Sequence, residues 1–330
     1  MSPVDPGRTL GLLDSAARIR VLVVGDIMLD RYVTGVVERI SPEAPVPVVR
    51  VSGERAALGG AGNVAANVTA LGASCRLVGH VGEDVEGDAL MRALTASGVG
   101  SDGVVRDPDR PTTVKTRVLA RHQQIVRFDR EVEEDLEDAL ARDISTMVRD
   151  FAAASDVLVV QDYNKGVLTP AVIDAVLEAG SAHGVPCVVD PKRRNFFAYP
   201  GVTVFKPNAR ELADALGAFI HPDDSAWMEY VRGRLGCEHL LVTLGDQGMA
   251  LQTASREHVR LPTLAQSVYD VSGAGDTVTA AVAVALGAGA SLAEAAALAN
   301  HAAAVEVTKA GVQTVSLAEI EAHVRVHPGW

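Results

Sequence analysis

Hydrophobic residues occur along this chain in short uninterrupted runs that alternate with longer stretches of helical spacing. Six runs have the length and β-branched character of buried strands: 20–26, 75–82, 156–162, 186–190, 202–208 and 239–245. Six segments between them have the spacing or Ala/Leu-rich composition of helices: 61–72, 84–97, 136–154, 169–183, 209–217 and 223–235. Alternating strands and helices build a parallel sheet that is covered on both faces. The pattern therefore predicts an α/β fold.

Two segments interrupt this alternation. Residues 31–51 are rich in β-branched side chains, contain three prolines and lack a helical period. Residues 112–129 alternate apolar and polar side chains, as in a strand that is exposed on both faces. We predict that both segments form a small antiparallel sheet outside the main layer, which is either a lid over the cleft or a dimer surface.

Polar residues stand at the ends of several predicted strands, namely Asp26, Asp162, Asp190 and Asn208. In open parallel sheets, ligands bind outside the carboxyl ends of the strands. We therefore expect these strand ends to share one cleft.

The charge balance narrows the classes of partner. The chain has 330 residues with 30 basic and 42 acidic side chains, which gives a formal net charge of −12. Such a field repels the phosphate backbone and argues against nucleic acid as a partner. Small phosphorylated ligands stay compatible, because a local cluster of lysines and N–H groups opposes the global field.

The sequence carries no signal for export or membrane insertion. Residues 1–20 lack the apolar core of a signal peptide, and no apolar run is long enough to span a bilayer. Cys75, Cys187 and Cys237 are far apart without metal-ligand spacing, which predicts buried free thiols in a reducing compartment. We expect a cytoplasmic protein without a membrane partner.

The segment DVSGAGDTVTA, residues 270–280, carries the strongest chemical signal. Two glycines precede Asp276, and the residues that follow have the pattern of a buried helix. A glycine-rich turn at a helix start presents free N–H groups and the positive end of the helix dipole, which suit a phosphate. Asp276 would lie beside that anion, where a carboxylate takes the proton of an attacking hydroxyl. The alternative is a plain helix start in which Asp276 only faces the dipole.

A second glycine-rich turn opens the predicted helix 61–72. It contains GAGNVA, which fits the dinucleotide fingerprint G-x-G-x-x-A, so an NAD-linked oxidoreductase is an alternative. Its position argues against that function, because the fingerprint normally follows the first strand, where this chain has GDIMLD. Asn63 suits a sugar hydroxyl, since its amide both donates and accepts.

The turn after the first strand places Asp26 and Asp30 at the strand end. Carboxylates accept hydrogen bonds from hydroxyls and suit a polyol substrate, while Asp26 is equally typical of a residue that caps a turn. The sequence contains no Walker A motif, which excludes a P-loop kinase.

Two later segments suit a nucleotide and its metal. In KPNARE, Asn208 would cap a helix while Glu211 orders the water ligands of Mg²⁺, and the alternative is a plain capping box. VTLGDQG is a strand, a glycine turn and a second strand. It suits backbone contact with a nucleotide at Thr243, Gly245 and Gly248, although many hairpins share this pattern.

Two charged features have an ordinary surface alternative. Lys165 follows a predicted strand in DYNKG, where it either grips a substrate phosphate or lies exposed. The acidic run 131–138 indicates a solvated helix start rather than a site.

These motifs occur together and in order: GDxxxD, GGAGNVAxN, NxxE, the VTLG turn and GAGD. In this combination the sequence resembles the ribokinase-like, or PfkB, family of sugar kinases over nearly the whole chain. The resemblance implies one three-layer α/β domain over residues 1–330 with a mostly parallel sheet, a small β lid, ATP and Mg²⁺.

The same resemblance implies roles for individual residues. Asp276 would deprotonate the substrate hydroxyl beside an anion hole formed by Gly273, Ala274 and Gly275. The Mg²⁺–phosphate region would be served by Asn208 and Glu211, the latter through water, and the nucleotide by Gly245 and Asn300. The sugar would be faced by Asp30, Gly59, Gly60 and Asn63.

A closer resemblance concerns the lid. ERISPEAPVPVVRV, residues 38–51, is very similar to the lid segment of D-glycero-β-D-manno-heptose 7-phosphate kinases, and DYNKGVLTP fits the same subfamily. This implies phosphorylation of the anomeric C1 hydroxyl on the route to ADP-heptose, and a homodimer through the lid. Candidates for binding the 7-phosphate are Lys165, Lys192 and Arg193.

Many members of this subfamily continue into a nucleotidyltransferase domain. This chain ends at Trp330 without one, so we expect a stand-alone kinase.

Two further alternatives stay open. One is a kinase of the same fold that acts on another substrate, such as fructose 6-phosphate or a nucleoside. The other is a sugar-phosphate sensor that binds its ligand without turning over ATP.

Overall fold

The computed structural model describes residues 5–121 and 123–327. Its strands are β1 (Arg20–Gly25), β2 (Ile27–Ile40), β3 (Pro47–Gly60), β4 (Ser74–Gly82), β5 (Gly100–Asp107), β6 (Thr113–Ala120), β7 (Gln123–Arg130), β8 (Val157–Gln161), β9 (Cys187–Asp190), β10 (Val204–Phe205), β11 (His239–Thr243), β12 (Met249–Gln252) and β13 (His258–Leu261). Its helices are α1 (Pro6–Ser15), α2 (Ala61–Ala70), α3 (Val85–Ala96), α4 (Asp138–Ala152), α5 (Pro170–His183), α6 (Ala209–Leu216), α7 (Ser225–Leu235), α8 (Ala274–Gly287), α9 (Leu292–Glu306) and α10 (Leu317–Val326). Every predicted strand and helix is present, although β10 is shorter than the predicted 202–208.

The main sheet has nine strands within the described residues, in the order β13-β12-β11-β10-β9-β8-β1-β4-β5. Neighbouring strands are parallel from β11 to β5. The two remaining pairings among the described strands, β11 with β12 and β12 with β13, are antiparallel, because the tight hairpin after β11 reverses the direction of β12. The prediction of a mostly parallel sheet is confirmed.

Strand β1 shows how the sheet is covered on both faces. Val21 and Val23 belong to the core that the sheet forms with α2, α8 and α9. Leu22 and Val24 belong to the opposite core, which includes α4, α5 and α7. All four side chains are fully buried, and burying each contributes roughly 1.5–3 kcal/mol. The fold therefore has three layers, as predicted.

The ends of α5 illustrate why the helices begin and stop where they do. The Thr169 hydroxyl accepts a hydrogen bond from the Val172 N–H at 3.3 Å, and Pro170 occupies the first helical position. Gly184 ends the helix in the left-handed conformation with φ of 64°. These local signals made 169–183 predictable.

The segments predicted to form a lid or a dimer surface belong to a separate four-stranded sheet in the order β3-β2-β6-β7, which we call the lid. Its outer pairs, β2 with β3 and β6 with β7, are antiparallel, but β2 and β6 are parallel. The prediction of an antiparallel sheet is wrong for that central pair. The chain reaches β6 only after passing through α2, β4, α3 and β5, and such a long crossover permits parallel pairing.

The lid strands also extend beyond the predicted segments 31–51 and 112–129. Strand β2 begins at Ile27, directly after the first strand of the main sheet, and β3 runs to Gly60 at the start of α2. The lid is thus continuous with two of the turns that the motifs placed at the cleft.

The acidic run 131–138 is not a helix start. Helix α4 begins only at its last residue, Asp138, and the preceding residues are irregular. Glu131 and Glu133 instead form ion pairs with Lys165, at 3.0 and 2.8 Å. Pairing with a lysine of another element replaces the dipole interaction that was predicted.

Two predictions from composition can be compared with the structure. Cys75, Cys187 and Cys237 are free and buried, as predicted. Over the described ranges, no helix has both the length and the apolar character that crossing a bilayer requires.

Candidate active site

Helix α8 begins at the glycine-rich turn and points its N-terminus into the cleft. Gly273 precedes the helix in the left-handed conformation, with φ of 96°, which favours glycine. The helix is anchored because its residues from Asp276 to Ala285 are all buried. N–H groups in the first turn of a helix have no intrahelical partner and suit an anion.

Asp276 lies in this first turn and is held by three side chains. Asn63 donates to its Oδ2 at 2.8 Å, while Gln161 and the Tyr163 hydroxyl donate to its Oδ1 at 3.0 and 2.9 Å. Burial raises the pKa of Asp276 to about 7, Asp190 adds to the rise, and the bonds from Asn63 and Tyr163 oppose it. A carboxylate with this pKa is suited to act as a base near neutral pH.

A second buried carboxylate, Asp190, lies beside Asp276. The Gln161 amide donates to both, reaching Asp190 Oδ2 at 3.0 Å. Asp190 also forms an ion pair with the buried Lys206 at 3.1 Å and accepts from the Thr279 hydroxyl at 3.3 Å. Its charge is thereby compensated, as a buried charge requires. Asp190, at the end of β9, is thus linked to Asp276 through Gln161.

One cavity of about 370 Å³ borders the N-terminus of α8. Its lining includes the residues predicted for the nucleotide and part of the predicted anion hole: Asn208, Thr243, Gly245, Gly248, Asn300, Ala274 and Gly275. The rest of its wall is largely apolar, with side chains such as Val268, Val271 and Val307. An apolar pocket that leads to a helix N-terminus can hold a flat base with its phosphates at the helix.

A second cavity of about 290 Å³ lies between the lid and α8. Four residues predicted from the motifs line it: Asp30, Gly60, Gly273 and Asp276. Residues that the sequence did not single out line it as well, among them Lys115, Arg117, Arg127 and Tyr163. The cavity is therefore polar and cationic, and it contains the candidate base.

Gly59 shapes this cavity by leaving room for Asp30. A Cβ at Gly59 would lie 2.4 Å from the Asp30 carboxylate. Asp30 is held in place by an ion pair with Arg117. Glycine at position 59 thus allows the Asp30 carboxylate to line the cavity, and the assignment of both residues to the sugar side stays a prediction.

Three cationic side chains of the lid line this cavity, namely Lys115, Arg117 and Arg127. Lys115 pairs with Asp129 at 3.3 Å and with Glu131 at 2.8 Å, and Arg127 pairs with Asp129 at 3.2 Å. Lys115 and Arg117 are two positions apart on β6, so they share one face of the strand. This i, i+2 spacing was the sequence signal for a basic face, and it was missed.

Asn63 and Asp26 serve neighbouring protein groups. Besides its bond to Asp276, Asn63 accepts from Asn67 at 3.1 Å, so its amide links α2 to the candidate base and keeps one N–H for another acceptor. Asp26 accepts backbone N–H groups of Tyr163 and Lys165 at 2.7 and 2.9 Å. The turn-capping alternative for Asp26 is therefore confirmed.

The three residues suggested for a substrate phosphate lie apart from the cavity beneath the lid. Lys165 is buried and paired with two glutamates, and Arg193 is exposed in the turn after β9. Lys192 pairs with Glu211 and lies 4.8 Å from the centre of the Tyr163 ring. Lys192 thus packs against Tyr163, which lines the cavity beneath the lid, without lining that cavity itself.

Asn208 and Glu211 form the capping box that was the alternative for KPNARE. The Asn208 side chain accepts the Glu211 N–H at 2.8 Å, and Glu211 accepts the Asn208 N–H at 2.9 Å. Residues 5–121 and 123–327 hold no group of three or more His, Cys, Asp or Glu arranged to bind a metal. Both Glu211 oxygens already have partners, the Asn208 N–H and Lys192, so a Mg²⁺ ion near Glu211 would be held through water and nucleotide phosphates rather than by direct ligation.

Known proteins resemble this chain in sequence and in fold. The model of the pfkB family carbohydrate kinases matches residues 18–319. A relative named bifunctional protein HldE from Pelobacter propionicus is 46% identical over 301 residues, which are 91% of this chain and 62% of the relative. The protein of that name from Azorhizobium caulinodans is 47% identical over 304 residues, 92% of this chain and 64% of its own length. The chain thus spans less than two thirds of these curated relatives.

Solved structures show the same fold at low identity. Arabidopsis thaliana ribokinase complexed with ribose and ATP has a TM-score of 0.74 at 22% identity, covering 98% of this chain and 99% of that chain. Escherichia coli phosphofructokinase-2 in complex with substrates and products has a TM-score of 0.79 at 20% identity, covering 93% and 98%. The fold is therefore ribokinase-like. From the family match over residues 18–319 and the identity to the HldE proteins, the chain belongs to the pfkB family of carbohydrate kinases.

Proposed function

We propose that this chain is an ATP-dependent kinase that phosphorylates D-glycero-β-D-manno-heptose 7-phosphate at its anomeric C1 hydroxyl. The observation that carries the proposal is the position of the α8 N-terminus between two cavities. Ala274 and Gly275 line the apolar cavity, while Gly273 and Asp276 line the cationic one beneath the lid. A phosphoryl group held at this N-terminus would be within reach of a base on the other side.

The chemistry that follows is an in-line transfer between the cavities. The sugar hydroxyl gives its proton to Asp276, and its oxygen attacks the γ-phosphorus of ATP as ADP leaves. N–H groups of residues 273–275 hold the transferring group, and Lys192 offsets the charge that develops on the nucleotide side. When bound near Asn208 and Glu211, Mg²⁺ supplies further charge neutralisation on the phosphates.

The lid cations support a substrate that already carries a phosphate. Lys115, Arg117 and Arg127 present donors to the same cavity that contains Asp276. Guanidinium and ammonium groups bind phosphate oxygens through charge-assisted hydrogen bonds. We therefore assign the 7-phosphate to these residues rather than to Lys165 and Arg193, and the sugar hydroxyls to Asp30. The lid resemblance and the HldE relatives support heptose 7-phosphate among the possible sugar phosphates.

We also propose that two copies pair through their lids. Val126 and Phe128 on β7 are 48% and 58% exposed, on the strand face opposite Arg127. The outer strands of the lid leave backbone groups unpaired, which a second copy can cover. The free cysteines agree with a reducing compartment, so we propose a cytoplasmic location.

ADP release in Mg²⁺-ATP tests the catalytic proposal across heptose 7-phosphate, sedoheptulose 7-phosphate, fructose 6-phosphate, ribose and adenosine. We expect selective turnover of heptose 7-phosphate, with kcat lowered roughly 10²–10⁴-fold in Asp276→Asn. The matched control Asp174→Asn, at an exposed position of α5, should keep wild-type turnover. Selective turnover of another sugar would overturn the substrate assignment, and wild-type kcat in Asp276→Asn would overturn the base assignment.

A further inference from the structure

The two oxygens of Asp276 have unequal environments. Oδ1 accepts two hydrogen bonds, from Gln161 Nε2 and from the Tyr163 hydroxyl, whereas Oδ2 accepts only that of Asn63 among the described residues. A carboxylate oxygen offers two lone pairs in its plane. Oδ1 is therefore saturated, and Oδ2 keeps room for one more donor.

Tyr163 is held in place by its neighbours so that its hydroxyl donates to Oδ1 of Asp276. Its backbone N–H donates to the buried Asp26 at 2.7 Å. Its ring lies between Gly60, whose added Cβ would be 3.5 Å from ring carbon Cδ2, and Lys192, whose Nζ is 4.8 Å from the ring centre. Burial and the Asp276 carboxylate hold the pKa of the phenol well above its ordinary value, so the hydroxyl stays protonated and donates.

We infer that Tyr163, together with Gln161, is a positioning residue that occupies Oδ1 of Asp276 so that Oδ2 alone receives the substrate proton. The inference rests on the proposed function, because it requires Asp276 to be the base. It also links the DYNKG segment to catalysis.

The pH dependence of the reaction reports on this bond. A donor to an ionised carboxylate favours its charged form, so removing the donor raises the pKa of the base. Other charged and titratable groups also face Asp276: Asp190 at the end of β9, Lys192 after it, Lys206 after β10 and Glu306 at the end of α9. Tyr163→Phe leaves all four in place.

Tyr199 provides a matched control. Its hydroxyl donates to the buried Asp162 at 2.9 Å, at the same edge of the sheet. Tyr199→Phe therefore removes the same kind of buried tyrosine–carboxylate bond without touching Asp276. A general structural effect of losing such a bond would appear equally in both variants.

The experiment is the pH profile of kcat/KM for wild type, Tyr163→Phe and Tyr199→Phe, with thermal melting of each. We expect the acid limb of Tyr163→Phe to move up by roughly 0.5–1 pH unit. Its kcat at pH 7 should fall roughly tenfold and recover in part at higher pH. Tyr199→Phe should keep the wild-type limb. Should Tyr163→Phe fail to fold, Gln161→Met tests the same claim, because it removes the other donor to Oδ1 and should move the limb in the same direction.

The outcomes separate this inference from the proposed function. An inactive Asp276→Asn with an unmoved acid limb in Tyr163→Phe, or in Gln161→Met where that variant replaces it, would overturn the positioning role and leave the base intact. An Asp276→Asn variant with wild-type turnover would overturn both.

Discussion

The side chains of Asn63 and Asp276 share a 2.8 Å hydrogen bond although 213 positions separate them in the sequence. Each lies in the first turns of a helix that follows a glycine-rich segment, α2 for Asn63 and α8 for Asp276. The two glycine motifs therefore meet at one carboxylate. The asparagine of GAGNVA thus bonds to the carboxylate that we propose as the base.

Asn63→Ala should lower kcat much more than it changes KM for the sugar. Losing a hydrogen bond to a charged group costs about 1.5–3 kcal/mol, which corresponds to roughly 10–100-fold in rate. Steady-state kinetics at several pH values checks this, with Asn195→Ala as the control because Asn195 donates to Asp162 instead. A change confined to KM would instead indicate that Asn63 contacts the sugar, as its sequence motif suggested, and would contradict a role in orienting Asp276.

Arg127→Ala should weaken binding of a phosphorylated sugar. The loss of a charge-assisted hydrogen bond predicts a KM increase of roughly 10–100-fold. Arg106→Ala, which removes an arginine paired with Asp88 outside the cavity, should leave KM unchanged. Equal effects of Arg127→Ala on phosphorylated and unphosphorylated sugars would contradict the assignment of the phosphate to the lid.

Glu306→Gln should stabilise the protein at alkaline pH. Glu306 is buried, neither of its oxygens has a hydrogen-bond partner in the described part of the chain, and burial raises its pKa to about 8. Because the folded state then holds a proton that the unfolded state has lost, this group makes stability fall as the pH rises from about 4.5 to about 8.

Urea unfolding of wild type and Glu306→Gln between pH 5 and pH 9 measures this effect. As the pH rises towards about 8, the variant's advantage should grow by up to about 1.4 kcal/mol per pH unit, and it should stay constant above that pH. The exposed Glu257→Gln serves as the control. A constant difference at all pH values would show that Glu306 does not titrate as described.

Phe128→Glu should convert a dimer into a monomer in analytical ultracentrifugation. The charge would lie in the apolar patch through which the lids are proposed to pair. Phe219 is 90% exposed elsewhere on the surface, so Phe219→Glu should remain dimeric. A wild-type protein that sediments as a monomer at micromolar concentration would refute the lid dimer.

Local signals explain what was predictable. A few consecutive residues are enough to predict strands such as Val21–Val24 and capped helices such as α5. The same is true of the glycine turns at Gly60 and Gly273. Motifs of consecutive residues also singled out Thr243, Gly245 and Gly248, and all three line one cavity.

The features that could not be predicted depend on partners that are far away in the sequence. Lys165 was a candidate phosphate ligand because the sequence does not reveal that its side chain pairs with Glu131 and Glu133 and does not line the cavity beneath the lid. The parallel pairing of β2 with β6 depends on the whole intervening crossover. Lys115 and Arg127 reach the cavity only because that pairing and its hairpin place them there. None of these relationships has a signature within one segment.

The most direct test of the central claim is the ³¹P NMR spectrum of the product formed from D-glycero-β-D-manno-heptose 7-phosphate and Mg²⁺-ATP. If the γ-phosphoryl group is transferred to the C1 hydroxyl with Asp276 as the base, the spectrum should show a second sugar-phosphate resonance that couples to the anomeric proton. This resonance should grow in step with the formation of ADP. A new phosphate coupled to any other proton, or ADP formed with inorganic phosphate and unchanged sugar, would contradict the account.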